Sequence, residues 1–137
     1  MIELTAKPVI KSINQEILSF ISKLSFTPKL NIIRINNDPA SEYYVTNLVK
    51  KGEKIGINVD VINLPLDTDE KDVLELIHRF NDDKNVNAIM IQKPLPDVFN
   101  EDFLTGAINP DKDVDGFHPI NMGKLLLEKK VWNHVLH

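Results

Sequence analysis

Several residues in this 137-residue chain could do chemistry, and they are scattered along it. Tyr44 and Leu48 stand four apart in SEYYVTNLVKK, residues 41–51. On a helix they share a face, one turn apart. If that face lines a pocket, the ring offers a stacking surface, and the neighbour beside it is a leucine, which moves no protons. Gln92 ends an apolar run and offers an amide. Asp111, Asp113 and Asp115 alternate like the start of a calcium loop, but the downstream glutamate is missing at the required spacing. His134 and His137 are three apart, yet with His78 and His118 they make no ligand cluster. Each of these residues also has a plain structural reading. The tyrosines suit an amphipathic core, Asp115 a turn before Gly116, and Gln92 a strand end.

The composition closes off other chemistries. The chain has no cysteine, which excludes disulfides, thiolate catalysis and cysteine-bound metals. The five glycines are isolated, so neither a G-x-G-x-x-G turn nor a P-loop occurs. A net charge of −4, with no Lys/Arg block longer than two, argues against a nucleic-acid partner. No apolar run approaches the roughly 20 residues that span a bilayer, and MIELTAKPVIK lacks the apolar core of a signal peptide. A cytoplasmic protein without membrane contact is the expectation.

The elements that must position these residues follow from periodicity. Apolar residues at 10, 13, 17, 18, 20, 21 and 24 predict a helix, broken at Thr27-Pro28. Leu30–Ile35 (LNIIRI), Val59–Leu64 (VDVINL) and Val86–Gln92 (VNAIMIQ) predict strands. Between the first two, Asp38 is a candidate N-cap, Pro39 the first helical residue and Gly56 a left-handed C-cap. Gly52 inside that helix should cost about 1 kcal/mol relative to alanine. Asp67-Thr68-Asp69-Glu70 has the form of a capping box opening the next helix. A short helix over Phe103–Ile108, a polar loop over 109–119 and a last helix over Asn121–Lys130 complete the reading. Strands alternating with helices predict a single α/β domain with a parallel sheet flanked by helices. Ligands of such sheets bind beyond the carboxyl ends of the strands, here NNDPASEYY, LPLD and QKPLP.

Taken together, three stretches resemble one family. They are Asp38-Pro39-Ala40-Ser41-Glu42-Tyr43-Tyr44-Val45, then Gln92-Lys93-Pro94-Leu95-Pro96, then Pro110 through Gly123 with its DKDVDGFHP. The family is the bifunctional methylenetetrahydrofolate dehydrogenase/methenyltetrahydrofolate cyclohydrolase. The resemblance implies a catalytic, folate-binding domain over residues 1–131 and places this chain in one-carbon tetrahydrofolate metabolism. The family reactions are NADP-dependent oxidation of 5,10-methylenetetrahydrofolate and hydrolysis of 5,10-methenyltetrahydrofolate. It also implies an atypical end over 132–137, with the NAD(P)-binding Rossmann domain absent and no NADP site expected in this chain. One codon choice for Asn133–His137, read two bases later, spells Ser-Cys-Thr-Pro, close to the family's interdomain junction. A frameshifted or truncated gene is therefore an expectation.

By the same resemblance, Tyr44 stacks on the folate, Gln92 is the partner of a catalytic lysine, and Asp115 binds the polar edge of the pterin. Gln92 and Asp115 are thus the catalytic candidates. The substrate-binding candidates are Tyr44, Leu48, Ile91, Gln92, Lys93, Pro94 and Asp115. Two of these depart from the family. The lysine position is Leu48, which removes the general acid/base. Lys93 stands where the family has leucine; it either supplies a charge in the site or points to solvent, the latter being the default for a lysine. Lys51 returns to the Tyr44 face about 10 Å along the axis and is no obvious replacement. An impaired enzyme domain, a non-catalytic folate-binding remnant and a partner-binding domain without a folate site all stay open. Homodimerisation is possible in any of the three.

Overall fold

The computed structural model describes residues 7–127. Eight elements follow in order: α1 (Lys7–Ile21), β1 (Lys29–Arg34), α2 (Pro39–Ile55), β2 (Asn58–Asn63), α3 (Glu70–Asp82), β3 (Ala88–Gln92), α4 (Glu101–Ala107) and α5 (Pro119–Leu126). The sheet has the order β2-β1-β3, and both pairings are parallel. Ile32 of β1 registers with Val61 of β2 and Met90 of β3, so the three share one face.

Alternation along the strands divides the core in two. Ile33, Ile35, Ile89 and Ile91 face α3 and α4, where they pack with Val73, Ile77, Phe99 and Leu104. Ile32 and Met90 face α2 and pack with Val45, Leu48, Val61 and Val114. α1 lies outside α2 and is less well covered. Its Val9, Ile10 and Ile13 are each about half exposed, and an apolar groove of about 480 Å3 runs beside Ile17, Phe20 and Ile55. Among the described residues no helix is long and apolar enough to cross a membrane.

α2 begins and ends as its sequence implies. The Asp38 carboxylate accepts from the Ser41 amide at 2.7 Å, Pro39 opens the helix, and Gly56 closes it at φ 84°. Gly52 is explained by packing. A Cβ there would lie 2.4 Å from Val59 Cγ2, so only glycine lets α2 sit this close to β2.

The start of α3 differs from the capping-box expectation. The helix opens at Glu70 with Asp69 as N-cap, and no side chain caps it. The Glu70 carboxylate is drawn away to accept the Asn100 amide at 2.5 Å, which ties α3 to the start of α4. α1 ends at Ile21 rather than Leu24. α5 starts at Pro119, and the expected Lys130 end lies outside the described residues, as do residues 132–137.

Candidate functional site

The carboxyl ends of the strands are bound to one another before any ligand is considered. Arg34, the last residue of β1, donates to Asn36 Oδ1 at 3.2 Å, to Asn63 Oδ1 at the end of β2 and to the Asp38 carbonyl. Asn36 Nδ2 donates to the Pro94 carbonyl at 2.9 Å, which links the β1–α2 turn to the segment leaving β3. Pro94, a candidate substrate contact, is exposed and follows a cis peptide bond.

On the α2 side, Tyr44 is 50% exposed, so its ring is free to stack on a ligand. Leu48, one turn on, is half-buried in the apolar cluster of Ile32, Val45 and Met90. Gln92 lies two residues after Met90, so it projects from the same face of β3. Gln92 is buried, and its Nε2 donates to the Lys93 carbonyl at 2.6 Å. Its Oε1 is buried without a hydrogen-bond partner, and so is Ser41 Oγ in the first turn of α2. Buried polar atoms are almost always paired. An orphaned acceptor at the strand ends therefore marks a place suited to a donor. Ile91 points the other way, into the core beneath α3 and α4. Lys51 is exposed.

The 109–118 loop forms the opposite side. Residues 112–114 run parallel to β3 for a single bridge, with the Ile89 amide donating to the Lys112 carbonyl at 2.8 Å. The parallel direction carries Asp115 toward the carboxyl end of β3. Lys112 Nζ donates to the Phe80, Asn81 and Asp83 carbonyls at 2.7–2.8 Å and so caps the C-terminus of α3. Burial holds the Lys112 ammonium below the usual lysine range, against the opposing pull of Asp83 and then Asp82. Asp113 is buried, and its carboxylate accepts from the Gly116 and His118 amides and from Asn121 Nδ2. Gly116 sits at φ 73°, a conformation that favours glycine. His118 Nδ1 in turn caps α5 by accepting from the Ile120 amide.

This network turns Asp113 inward and leaves Asp115, like Asp111, outward. Asp115 is exposed overall. Even so, partial desolvation and then the charge of Asp113 push its carboxyl above the ordinary range, while Lys93 pulls it down. The Lys93 side chain stays 40% exposed, but its charge is engaged. Its Nζ pairs with Glu101 on α4 and lies 4.2 Å from the centre of the Phe117 ring. Lys93, Asp115 and Phe117 line one small cavity of about 10 Å3, floored by Ile89 and Ile91.

The sequence singled out Tyr44, Leu48, Ile91, Gln92, Lys93, Pro94 and Asp115. It did not reveal the supporting roles of Arg34, Asn36, Lys112 and Asp113, or of Glu101 and Phe117, which both meet Lys93. Lys112 and Asp113 lie inside the quoted DKDVDG stretch, so the motif contained them without revealing their separate tasks.

Comparison with known proteins gives consistent results. A family model described as the tetrahydrofolate dehydrogenase/cyclohydrolase catalytic domain matches residues 4–115. The bifunctional protein FolD of Staphylococcus haemolyticus is 43% identical over 118 residues, covering 86% of this chain and 41% of that protein. Among solved structures, the bifunctional methylenetetrahydrofolate dehydrogenase/cyclohydrolase of Campylobacter jejuni superposes with a TM-score of 0.87 at 34% identity. That match covers 91% of this chain and 45% of the other. The NAD-dependent 5,10-methylenetetrahydrofolate dehydrogenase of Saccharomyces cerevisiae follows at a TM-score of 0.75 and 28% identity, covering 89% of this chain and 39% of the other. The chain thus spans less than half the length of the relatives it matches.

Proposed function

The chain belongs to the tetrahydrofolate dehydrogenase/cyclohydrolase family, and from that premise we propose that it is a folate-binding domain of one-carbon metabolism that has kept its binding surface and lost its proton carrier. The observation that supports this reading is the unpartnered oxygen of Gln92, taken with a leucine at position 48 on the Tyr44 face of α2. On one face of the strand ends a buried amide oxygen lacks a donor, and the nearby helix position holds a leucine packed among Val45 and Met90.

In this reading Tyr44 stacks on the ring system of a 5,10-methylene- or 5,10-methenyltetrahydrofolate. Asp115 accepts paired N–H bonds from the amino-pyrimidine edge, a task suited to a carboxylate. Gln92 turns its free oxygen toward the one-carbon bridge. Opening that bridge with water requires a group that exchanges a proton, and such a group contributes roughly 10²- to 10⁴-fold in rate. Leu48 contributes nothing of the kind, so hydrolysis by this chain is slow.

Oxidation of the methylene compound needs a nicotinamide dinucleotide as hydride acceptor. The junctions from strand to helix read INND, LPLDTD and KPLPDVFN, none with a glycine. Nothing in these junctions matches the glycine-rich turn that cradles a pyrophosphate, and no hydride step is assigned to the described residues.

Calorimetric titration of the chain with tetrahydrofolate tests the binding claim. Saturable one-site binding is expected, weakened roughly tenfold by Tyr44→Ala through loss of one base-stacking contact. No binding by a folded chain overturns the reading. A second reading, self-association or partner binding through α1, has the half-exposed Val9, Ile10 and Ile13 in its favour. A concentration-independent monomer in sedimentation would count against self-association.

A further inference from the structure

Lys93 is the least expected component of the site. A leucine at this position would only fill space, whereas Lys93 joins three elements. Its backbone leaves β3, its ammonium pairs with Glu101 in the first turn of α4, and the same ammonium lies 4.2 Å from the Phe117 ring centre. Phe117 is two residues beyond Asp115, and Lys93 and Asp115 line the same small cavity. Beneath it lie the core residues Ile89 and Ile91, which line the same cavity.

We propose that Lys93 is a positioning residue for Asp115, holding the Asp115–Phe117 turn against β3 and α4 and setting a fixed cation beside the carboxylate that reads the ligand. The charged and titratable groups around Asp115 are few. Asp113 lies behind it in the loop, His118 donates its amide to that same Asp113, Lys93 comes from β3, and Glu101 comes from α4 through Lys93. Desolvation and Asp113 both favour the protonated acid, and Lys93 is the group that opposes them. A protonated Asp115 loses an acceptor site and cannot take two N–H donors as a carboxylate does. Lys93 therefore opposes protonation of Asp115 and favours the carboxylate, which is the form suited to an amino-pyrimidine edge. This last step rests on the folate reading; the placement of the cation does not.

The test is a carboxyl-carbon NMR titration of the ligand-free chain, labelled at aspartate, in the original and in Lys93→Leu and Lys93→Arg. The Asp115 midpoint is expected to move upward in Lys93→Leu and to stay near its original value in Lys93→Arg. An unchanged midpoint in folded Lys93→Leu overturns the proposal, and so does an equal shift in both variants, because then the charge is not responsible. If Lys93→Leu does not fold, Lys93→Gln carries the same expectation with a polar side chain of similar reach. The titration needs no folate, so it stands even if the chain binds none. Tetrahydrofolate affinity against pH, measured on the same variants, then reports on the folate reading alone. Its acid limb moves to higher pH in Lys93→Leu if Asp115 holds the ligand.

Discussion

The two sides of the strand ends are built to different degrees of completeness. In the 109–118 loop four motif residues hold the frame together. Lys112 caps α3, Asp113 takes three donors, Gly116 makes the turn and His118 caps α5. On the α2 side, Leu48 merges into an apolar cluster, while Gln92 Oε1 and Ser41 Oγ are left without partners. The loop side is a braced frame that presents Asp115 at its surface. The helix side thus holds an unpartnered acceptor on the strand and an apolar side chain at position 48. Under the proposed function that combination is a proton-handling pair without its donor.

Breaking the loop side should have the largest effect on stability. Asp113→Ala strands two backbone amides and one buried side-chain amide, so a loss of about 3 kcal/mol is expected in urea unfolding. A loss under about 1 kcal/mol would mean that the loop does not depend on this carboxylate. Gly52→Ala probes the helix side. The helix gains about 1 kcal/mol in propensity, but the new methyl meets Val59 Cγ2 at 2.4 Å, and overpacking costs about 1–3 kcal/mol. A net loss of about 1 kcal/mol is expected from the same measurement, and a gain would show that α2 can shift away from β2 without cost.

The smallest effect concerns Asp115 and has a definite sign. Its folded pKa lies above the unfolded value of 3.8, so the folded chain binds more protons in the window just above 3.8. Stability attributable to this group therefore falls as pH rises through that window, and the ionised form is the less stable one. Asp115→Asn should be slightly more stable than the original at neutral pH. The difference should vanish below pH 3.8, as followed by thermal unfolding across pH. A variant less stable at neutral pH would assign Asp115 to the frame rather than to the ligand.

Much of the fold was legible because its signals are local. Asp38, Pro39 and Gly56 mark the ends of α2 within a few residues, and the three apolar runs alternate with helical patterns. The capping box at Asp67–Glu70 was misleading because Glu70 has a better partner 30 residues away, the Asn100 amide. The site was legible as a set of motif positions but not as a mechanism of support. Lys93 finds Glu101 on α4 and Phe117 beyond the 109–115 turn, and Lys112 finds the carbonyls of α3. Those partners become neighbours only once the sheet is assembled. Lys93 meets both expectations in part: its side chain stays 40% exposed while its ammonium pairs with Glu101 beside Phe117.

The central claim is that position 48 alone separates binding from turnover. The most direct measurement is the rate of 5,10-methenyltetrahydrofolate hydrolysis by the original chain and by Leu48→Lys, each above its own background. A lysine there would sit partly desolvated in the Val45–Met90 cluster, which lowers its pKa toward neutrality, with the free Gln92 oxygen on the same face. The account predicts hydrolysis about 100-fold or more faster in Leu48→Lys, with similar affinity for tetrahydrofolate in both. Equal rates in two chains that bind tetrahydrofolate equally well would contradict it.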